Sequence, residues 1–550
     1  PSPSPSGQEQ EQEQEQEQEQ GPAWSVLEEE VFDPLEVITR IPAEDPEVYE
    51  MLCRADTVGV FQIESRAQMA MLPRLRPQKF YDLVVEVALV RPGPIQGGMV
   101  HPYLRRRNGE EPIAVPHLDL WPILERTLGV PLFQEQVMQI SIVGAGYTGG
   151  EADQLRRDMA AWKKTGRLLR HRERLLTGFE KKGIERAFGE ALFEQIKGFG
   201  DYGFPESHSA SFALLVYASA WQKAHYPAHF ACALVNAQPM GFYSPSTIFQ
   251  DAARHGVLVH DVCALRSEWD CSLEEAGTGS AIRSQKPGAQ RSIRLGLRLI
   301  KGLSEAAGRR LVKARKEQLF DDLRDLVERT GLKKDEVERL AEAGVFRELI
   351  AERRQALWQA RAPQLHGLFQ GRALAEPEIQ LAPLAPQQTL LLDYANKGLS
   401  TVDHPMRHLR SFLKREGALE SRSLARVKKG QKVKVAGVVL SRQQPGTASG
   451  VVFISLEDEF GFINLVLWRN VFEQFQQVAR HASLLLAYGE VEREVNGSNL
   501  AAGPIQGVLM PVSPPKLAPA KSPTIHVIVE RLQRLELNQA NFKRVSRDFH

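Results

Sequence analysis

The chain has 550 residues, more than one hydrophobic core accommodates, and its 43% hydrophobic, 25% charged composition excludes a mainly disordered, collagen-like or coiled-coil protein. The formal charge of +1 conceals a split: residues 8–20 alternate Gln and Glu, and outside those six glutamates 62 acidic residues face 69 Lys and Arg, a balance of about +7. Four scattered cysteines (Cys53, Cys232, Cys263, Cys271) exclude a disulfide framework, and with no apolar run of about 18 residues and no cationic leader the expectation is a cytoplasmic protein without a membrane span.

Residues 1–30 form a low-complexity tail that can bury nothing and is expected to be disordered. A globular pattern occupies residues 31–267. Helical periodicity is clear at 179–199 and in the apolar stretch 210–234, which Pro227 interrupts. A polar, Gly/Ser/Gln-rich stretch marks a linker at 268–292. Residues 293–350 read as short helices, and 351–430 as a linker with connecting helices. From 431 the period changes to two, with alternating runs at 433–440, 451–457, 463–468 and 525–532, which read as a small β-barrel or sandwich within 431–535. Residues 496–524, with six prolines, read as a disordered insertion, and 536–550 as a C-terminal tail.

Several clusters carry chemistry. Arg156 and Arg157, followed by Lys163 and Lys164, suit a triphosphate or a DNA backbone, or else form a solvated helix face. The segment Asp201-Tyr-Gly-Phe-Pro-Glu-Ser-His-Ser (201–209) leads a Gly-aromatic loop into a helix whose first turn holds Ser207, His208 and Ser209. That arrangement suits an anion, or is ordinary capping. Residues 91–98 hold Pro and Gly with no catalytic group. His225, His229 and Cys232 imitate a metal-binding face, but Pro227 intervenes and no fourth ligand is near. Leu299-Ile-Lys-Gly-Leu-Ser (299–304), before a basic helix, has the form of a helix-hairpin-helix that offers backbone N–H groups and Lys301 to phosphate, with a weaker copy at 332–346. Phe460, Phe462 and Trp468, near Arg442 and Arg469, could stack on single-stranded nucleic acid or fill a barrel core. Gln364-Leu-His-Gly-Leu-Phe369 has the outline of a sliding-clamp peptide, or is plain linker.

The segments at 55–69 (ADTVGVFQIESRAQM), 87–109, 132–140, 153–164 and 198–221 together resemble the bacterial C-family DNA polymerases. The segments at 238–257, 295–312 and 445–475 and the terminal SRDFH narrow the resemblance to the error-prone paralogue of the replicase alpha subunit, used in translesion synthesis and DNA repair after damage. The resemblance implies a multidomain α+β fold: mostly helical fingers at 31–267, a tandem helix-hairpin-helix element at 293–350 and a C-terminal β-barrel OB-fold at 431–535. It implies that Arg156, Arg157, Tyr202, Phe204, His208 and Ser209 bind the incoming deoxynucleoside triphosphate. Lys163, Lys164, Lys301, Gly302, Phe460 and Phe462 would contact DNA. Primer–template DNA is the implied partner, with accessory translesion proteins and the sliding clamp as further ones. Asp158 departs from the small residue usual after the arginine pair. Mg²⁺ is implied for the chemistry, held by an Asp-x-Asp pair on palm strands before residue 41. The sequence contains no Asp-x-Asp, and Glu457, Asp458 and Glu459 are no substitute. The expectation is therefore a C-terminal half that binds DNA and does not polymerise alone.

Overall fold

The computed structural model describes residues 34–91, 99–160, 166–198, 205–239, 243–275, 291–361, 381–444, 450–493, 508–510, 525–537 and 547–549. The chain divides into two units, residues 1–43 and 44–550. In the first, the described element is the short helix Pro34–Thr39, followed by Arg40, which pairs with Glu36. The expected tail, residues 1–30, lies outside the described residues.

The second unit begins as a block of helices. The periodicity at 179–199 resolves into two of them, Leu169–Lys181 and Arg186–Gly198, because Gly183 turns left-handed between them (φ 76°). The apolar stretch at 210–234 is likewise two helices, Glu206–His225 and Pro227–Asn236. A proline has no N–H to lose at a first helical turn, so Pro227 starts a helix rather than kinking one.

The expected linker at 268–292 needs correction. Ser272–Glu275 pairs antiparallel with Arg291–Arg294, which pairs parallel with Val259–His260, so both ends of the segment are strands. Cys271 and Ile293 are buried there, and apolar residues at these ends seed the sheet although the middle is polar. The same core runs from Ala228 to Leu399, joining the last helices of the first block to the helices Glu305–Glu317, Leu323–Thr330 and Lys334–Ala343.

The C-terminal region is a closed barrel of β1 (Lys432–Gln443), β2 (Val452–Glu457), β3 (Phe462–Leu467), β4 (Leu484–Arg493) and β5 (Ile525–Arg534). Its order is β1-β2-β3-β5-β4, with β4 returning to β1 and β5 parallel to β3. Two short helices, Arg469–Gln474 and Gln476–His481, connect β3 to β4. This is the OB architecture. Its fourth strand was not among the expected ones, because Leu484-Leu-Leu-Ala opens as a continuous apolar run whose period is ambiguous. The insertion at 496–524 also needs correction in part. Val508–Leu509 pairs antiparallel with Ala114–Val115, and the Met510 N–H donates to the Ile113 carbonyl at 2.9 Å. Two apolar residues suffice to complete an exposed strand edge; the rest of the insertion lies outside the described residues.

Candidate nucleotide and nucleic-acid interface

Arg156 and Arg157 stand on the helix Gly149–Ala160 and converge on one carboxylate. Asp153 accepts from Arg156 Nε at 3.0 Å and from Arg157 Nε at 2.9 Å. The two guanidinium groups, Arg157 first, hold the Asp153 carboxyl below its usual range. Arg157 is exposed and Arg156 half-buried, so an incoming phosphate competes with a single half-buried carboxylate. Asp158, the departure from the family pattern, points inward: it is buried and pairs with His171 Nε2 at 2.9 Å. Burial works to raise its pKa, yet the His171 bond holds it low. It fastens two helices and does not stand beside the arginine pair. Lys163, Lys164, Tyr202 and Phe204 lie outside the described residues, as do residues 92–98 and the clamp-like segment 364–369.

The helix Glu206–His225 starts after Pro205, and its first turn does meet an anion, one from the chain itself. The Glu206 N–H donates to the Glu135 carboxylate at 3.0 Å, and Tyr81 donates to the Glu206 side chain at 2.7 Å. Glu135 was missed by sequence reasoning, since nothing local ties it to a helix 71 residues away. Ser209 is fully buried and its hydroxyl donates to the Val84 carbonyl, tying this helix to Phe80–Leu89. His208 packs edge-on against Phe212, ring centroids 4.4 Å apart, and Phe212 stacks on the partly exposed Phe61. The metal-like trio does not converge: His225 pairs with Asp45 at 2.7 Å, His229 packs against Tyr226, and the Cys232 thiol donates to the Cys271 carbonyl.

At the first hairpin Gly302 is left-handed (φ 79°), and Ser304 caps the basic helix Glu305–Glu317. The Lys301 ammonium is already engaged, donating to the carbonyls of Tyr394 (3.1 Å) and Ala395 (2.9 Å) near the end of the helix Pro386–Asn396. Burial there lowers its pKa.

On the barrel the aromatic rings are capped by arginines. Arg422 lies 3.8 Å over the Phe460 ring, and Arg410 at 5.9 Å. Phe462 faces the helical block, with Arg254 4.4 Å over its ring and 3.5 Å from the buried Glu457. Arg66, from the helix Arg66–Leu75, lies 4.6 Å over Phe453 on β2 and donates to the Leu465 carbonyl on β3 at 3.2 Å. Neither Arg66 nor Arg254 is marked in the sequence, because their partners lie hundreds of residues away. Trp468, at the end of β3, stays exposed.

Among the described residues, one cluster offers metal-type ligands: Asp56, Asp251 and His255. It does not fit Mg²⁺. The buried Lys223 ammonium already bridges Asp56 (3.0 Å) and Asp251 (2.8 Å) and reaches the Val58 carbonyl. His255 Nε2 closes on Asp56 at 2.7 Å, and against the effect of burial these partners hold Asp56 far below the usual carboxylate range. An ammonium takes the place a cation would need.

Three family matches fall along the chain in order: the bacterial DNA polymerase III alpha subunit finger domain at 26–183, a helix-hairpin-helix motif at 256–356 and an OB-fold nucleic acid binding domain at 433–509. Similar curated proteins carry the name error-prone DNA polymerase. The one from Pseudomonas paraeruginosa is 52% identical over 471 residues, covering 85% of this chain and 45% of that protein. The one from Pseudomonas fluorescens Pf-5 is 54% identical over 468 residues (85% and 45%), and the one from Anaeromyxobacter sp. strain K 49% over 487 (88% and 42%). The chain thus spans somewhat under half the length of the curated relatives it matches.

Proposed function

Because the chain belongs to the bacterial C-family DNA polymerases, on their error-prone branch, we propose that it serves templated, error-prone DNA synthesis by holding primer–template DNA and the incoming deoxynucleoside triphosphate. The observation that carries this proposal is identity of about half, sustained over 85% of the chain, with proteins named for that activity. In this proposal Arg156 and Arg157 leave Asp153 for the triphosphate, beside Tyr202, Phe204 and His208. Ser209 fixes the helix on which His208 stands. Lys163, Lys164, the Gly302 backbone and the barrel aromatics Phe460 and Phe462 face DNA, and Lys301 fixes the first hairpin in place. The division into fingers at 31–267, hairpins at 293–350 and OB-fold at 431–535 belongs to the same proposal, as do repair after damage, accessory translesion proteins and action in the cytoplasm. No helix among the described residues is long and apolar enough to cross a membrane.

Among the described residues the one cluster of metal-type ligands, Asp56, Asp251 and His255, is already bridged by the Lys223 ammonium. This favours a second, non-catalytic reading in which the chain is a DNA-binding fragment acting through its hairpins and barrel. Two assays test the pair. Fluorescence anisotropy should show salt-dependent binding of primer–template DNA, and its absence would overturn both readings. Primer extension by this chain alone should give no incorporation, since its sequence holds no Asp-x-Asp. Templated incorporation would refute the non-catalytic reading.

A further inference from the structure

We propose that Arg339, rather than Lys301, is the cation that meets a DNA phosphate at the first hairpin. The inference rests on the DNA-binding reading above and deepens it. Lys301 has the right place in the sequence, but its ammonium caps a helix end through Tyr394 and Ala395, and its own backbone N–H donates to the Asn396 carbonyl at 2.8 Å. Moving it to a phosphate would take this donor from the Ala395 carbonyl, while the Tyr394 carbonyl would keep the Gly398 N–H at 3.1 Å.

Arg339 comes from the second hairpin's helix, Lys334–Ala343, and lies directly on the first. A Cβ placed on Gly302 would overlap its Nη1, and its Cζ would be 3.1 Å away. The guanidinium therefore covers the left-handed glycine of the hairpin, and Gly302 itself is exposed. Of the other arginines nearby, Arg310 and Arg315 are held, whereas Arg309 is 66% exposed and meets the exposed Glu305 of its own helix. Arg310 donates to the Thr330 carbonyl and to Glu336 at 3.0 Å, and Arg309 pairs with Glu305 at 2.6 Å. Arg315 is buried against the Ala264 and Ser267 carbonyls. Arg339 keeps 45% of its side chain exposed, and its acidic neighbour Asp335 stands at 4.0 Å, the outer edge of an ion pair. A planar guanidinium over an exposed backbone turn offers a phosphate two parallel N–H donors, which an ammonium at the same place could not.

The test is the salt dependence of binding of the full chain to a labelled mixed-sequence duplex between about 50 and 200 mM salt. Arg339→Gln should weaken binding about tenfold and reduce the log–log salt slope by about one. Arg339→Lys should keep the slope, because the charge remains, and recover only part of the affinity. Arg361→Gln removes an exposed charge from the neighbouring helix, where Arg361 lies near Glu338 and Glu342, and should leave the slope in place. A slope unchanged in Arg339→Gln, or lost in Lys301→Met instead, overturns the assignment while leaving the DNA-binding reading intact. Wild-type protein that binds no duplex overturns the reading and the assignment together. Thermal melting of Arg339→Gln separates lost contact from lost fold, since a merely structural role would lower the melting temperature without moving the slope.

Discussion

Gly302 and Gly344 have nearly the same backbone, with φ of 79° and 80°, and each lies under an arginine. The two arginines differ in everything else. Arg353, over Gly344, has 7% of its side chain exposed; its Nη2 donates to Asp393 at 2.8 Å and its Nη1 to the Thr389 carbonyl at 3.3 Å. Asp393 is fully buried and also meets Lys397 at 3.1 Å and the Ser400 hydroxyl at 2.8 Å. Arg339, over Gly302, meets no buried carboxylate among the described residues. A guanidinium on a left-handed turn is thus one local device with two uses. Closed by a buried carboxylate it fastens the second hairpin to the helix Pro386–Asn396, and left open it is available to an anion from outside.

The most severe way to break this contrast is to remove the carboxylate. Asp393→Ala leaves Arg353 and Lys397 buried without their shared partner, and breaking a buried pair from one side costs about 3–5 kcal/mol. Urea denaturation should show a loss of that order. A loss under about 1 kcal/mol would mean that the closed hairpin is no better fastened than the open one.

A finer comparison uses the glycines. Alanine at either position adopts a left-handed conformation at about 1–2 kcal/mol. At Gly344 the new Cβ would also stand 2.9 Å from Arg353 Nη2, which Asp393 holds, whereas at Gly302 it meets the end of a half-exposed side chain free to swing away. Gly344→Ala should therefore be the costlier by about 1–2 kcal/mol, read as a larger drop in denaturation midpoint. Equal losses would sink the distinction.

How much of this the sequence discloses depends on the range of each interaction. The Ser304 cap, the Gly302 turn and the basic helix are local, and they are legible as a hairpin. The convergence of Arg156 and Arg157 on Asp153 was legible in principle, since spacings of three and four residues meet on a helix face. Lys301 is the instructive case. Its place in the motif suggests phosphate, but the carbonyls that claim it lie more than ninety residues on. Three alternating barrel runs and a fourth at 525–532 were readable by their period, while β4 was hidden by its apolar start. Fold class followed from local signals; the roles of single cations followed from long-range ones.

Arg66 is a third case, a buried guanidinium that meets no carboxylate among the described residues, and burial lowers its pKa to about 9. Its neighbour on β5, His526, lies at 3.4 Å and is pushed down to about 4, by burial first and then by the arginine charge, with Glu492 opposing. Nearby in sequence, burial raises Glu64 to about 7. The signs oppose each other. His526 binds fewer protons folded than unfolded, so its contribution to stability is lost as pH falls from about 6.5 to 4. Glu64 binds more, so its contribution is lost as pH rises from about 4.5 to 7. Relative to wild type, His526→Gln should melt at progressively higher temperature as the pH falls below 6.5, and Glu64→Gln should gain as the pH rises towards 7. Parallel melting curves across this window would show that neither pKa differs between the folded and the unfolded chain.

The smallest expected effect falls on the open hairpin itself. Asp335 and Arg339 are 67% and 45% exposed and 4.0 Å apart, so solvent screens their attraction and the pair contributes under about 0.5 kcal/mol. Asp335→Asn should leave the denaturation midpoint within error of wild type. It should nevertheless strengthen duplex binding about twofold at low salt, because a phosphate arriving at Arg339 no longer meets a carboxylate beside it. The gain should fade as salt rises, and it should vanish in the Arg339→Gln background. A gain that persists in that background would place the electrostatic effect of Asp335 elsewhere on the surface, and the open guanidinium would lose its claim to the phosphate.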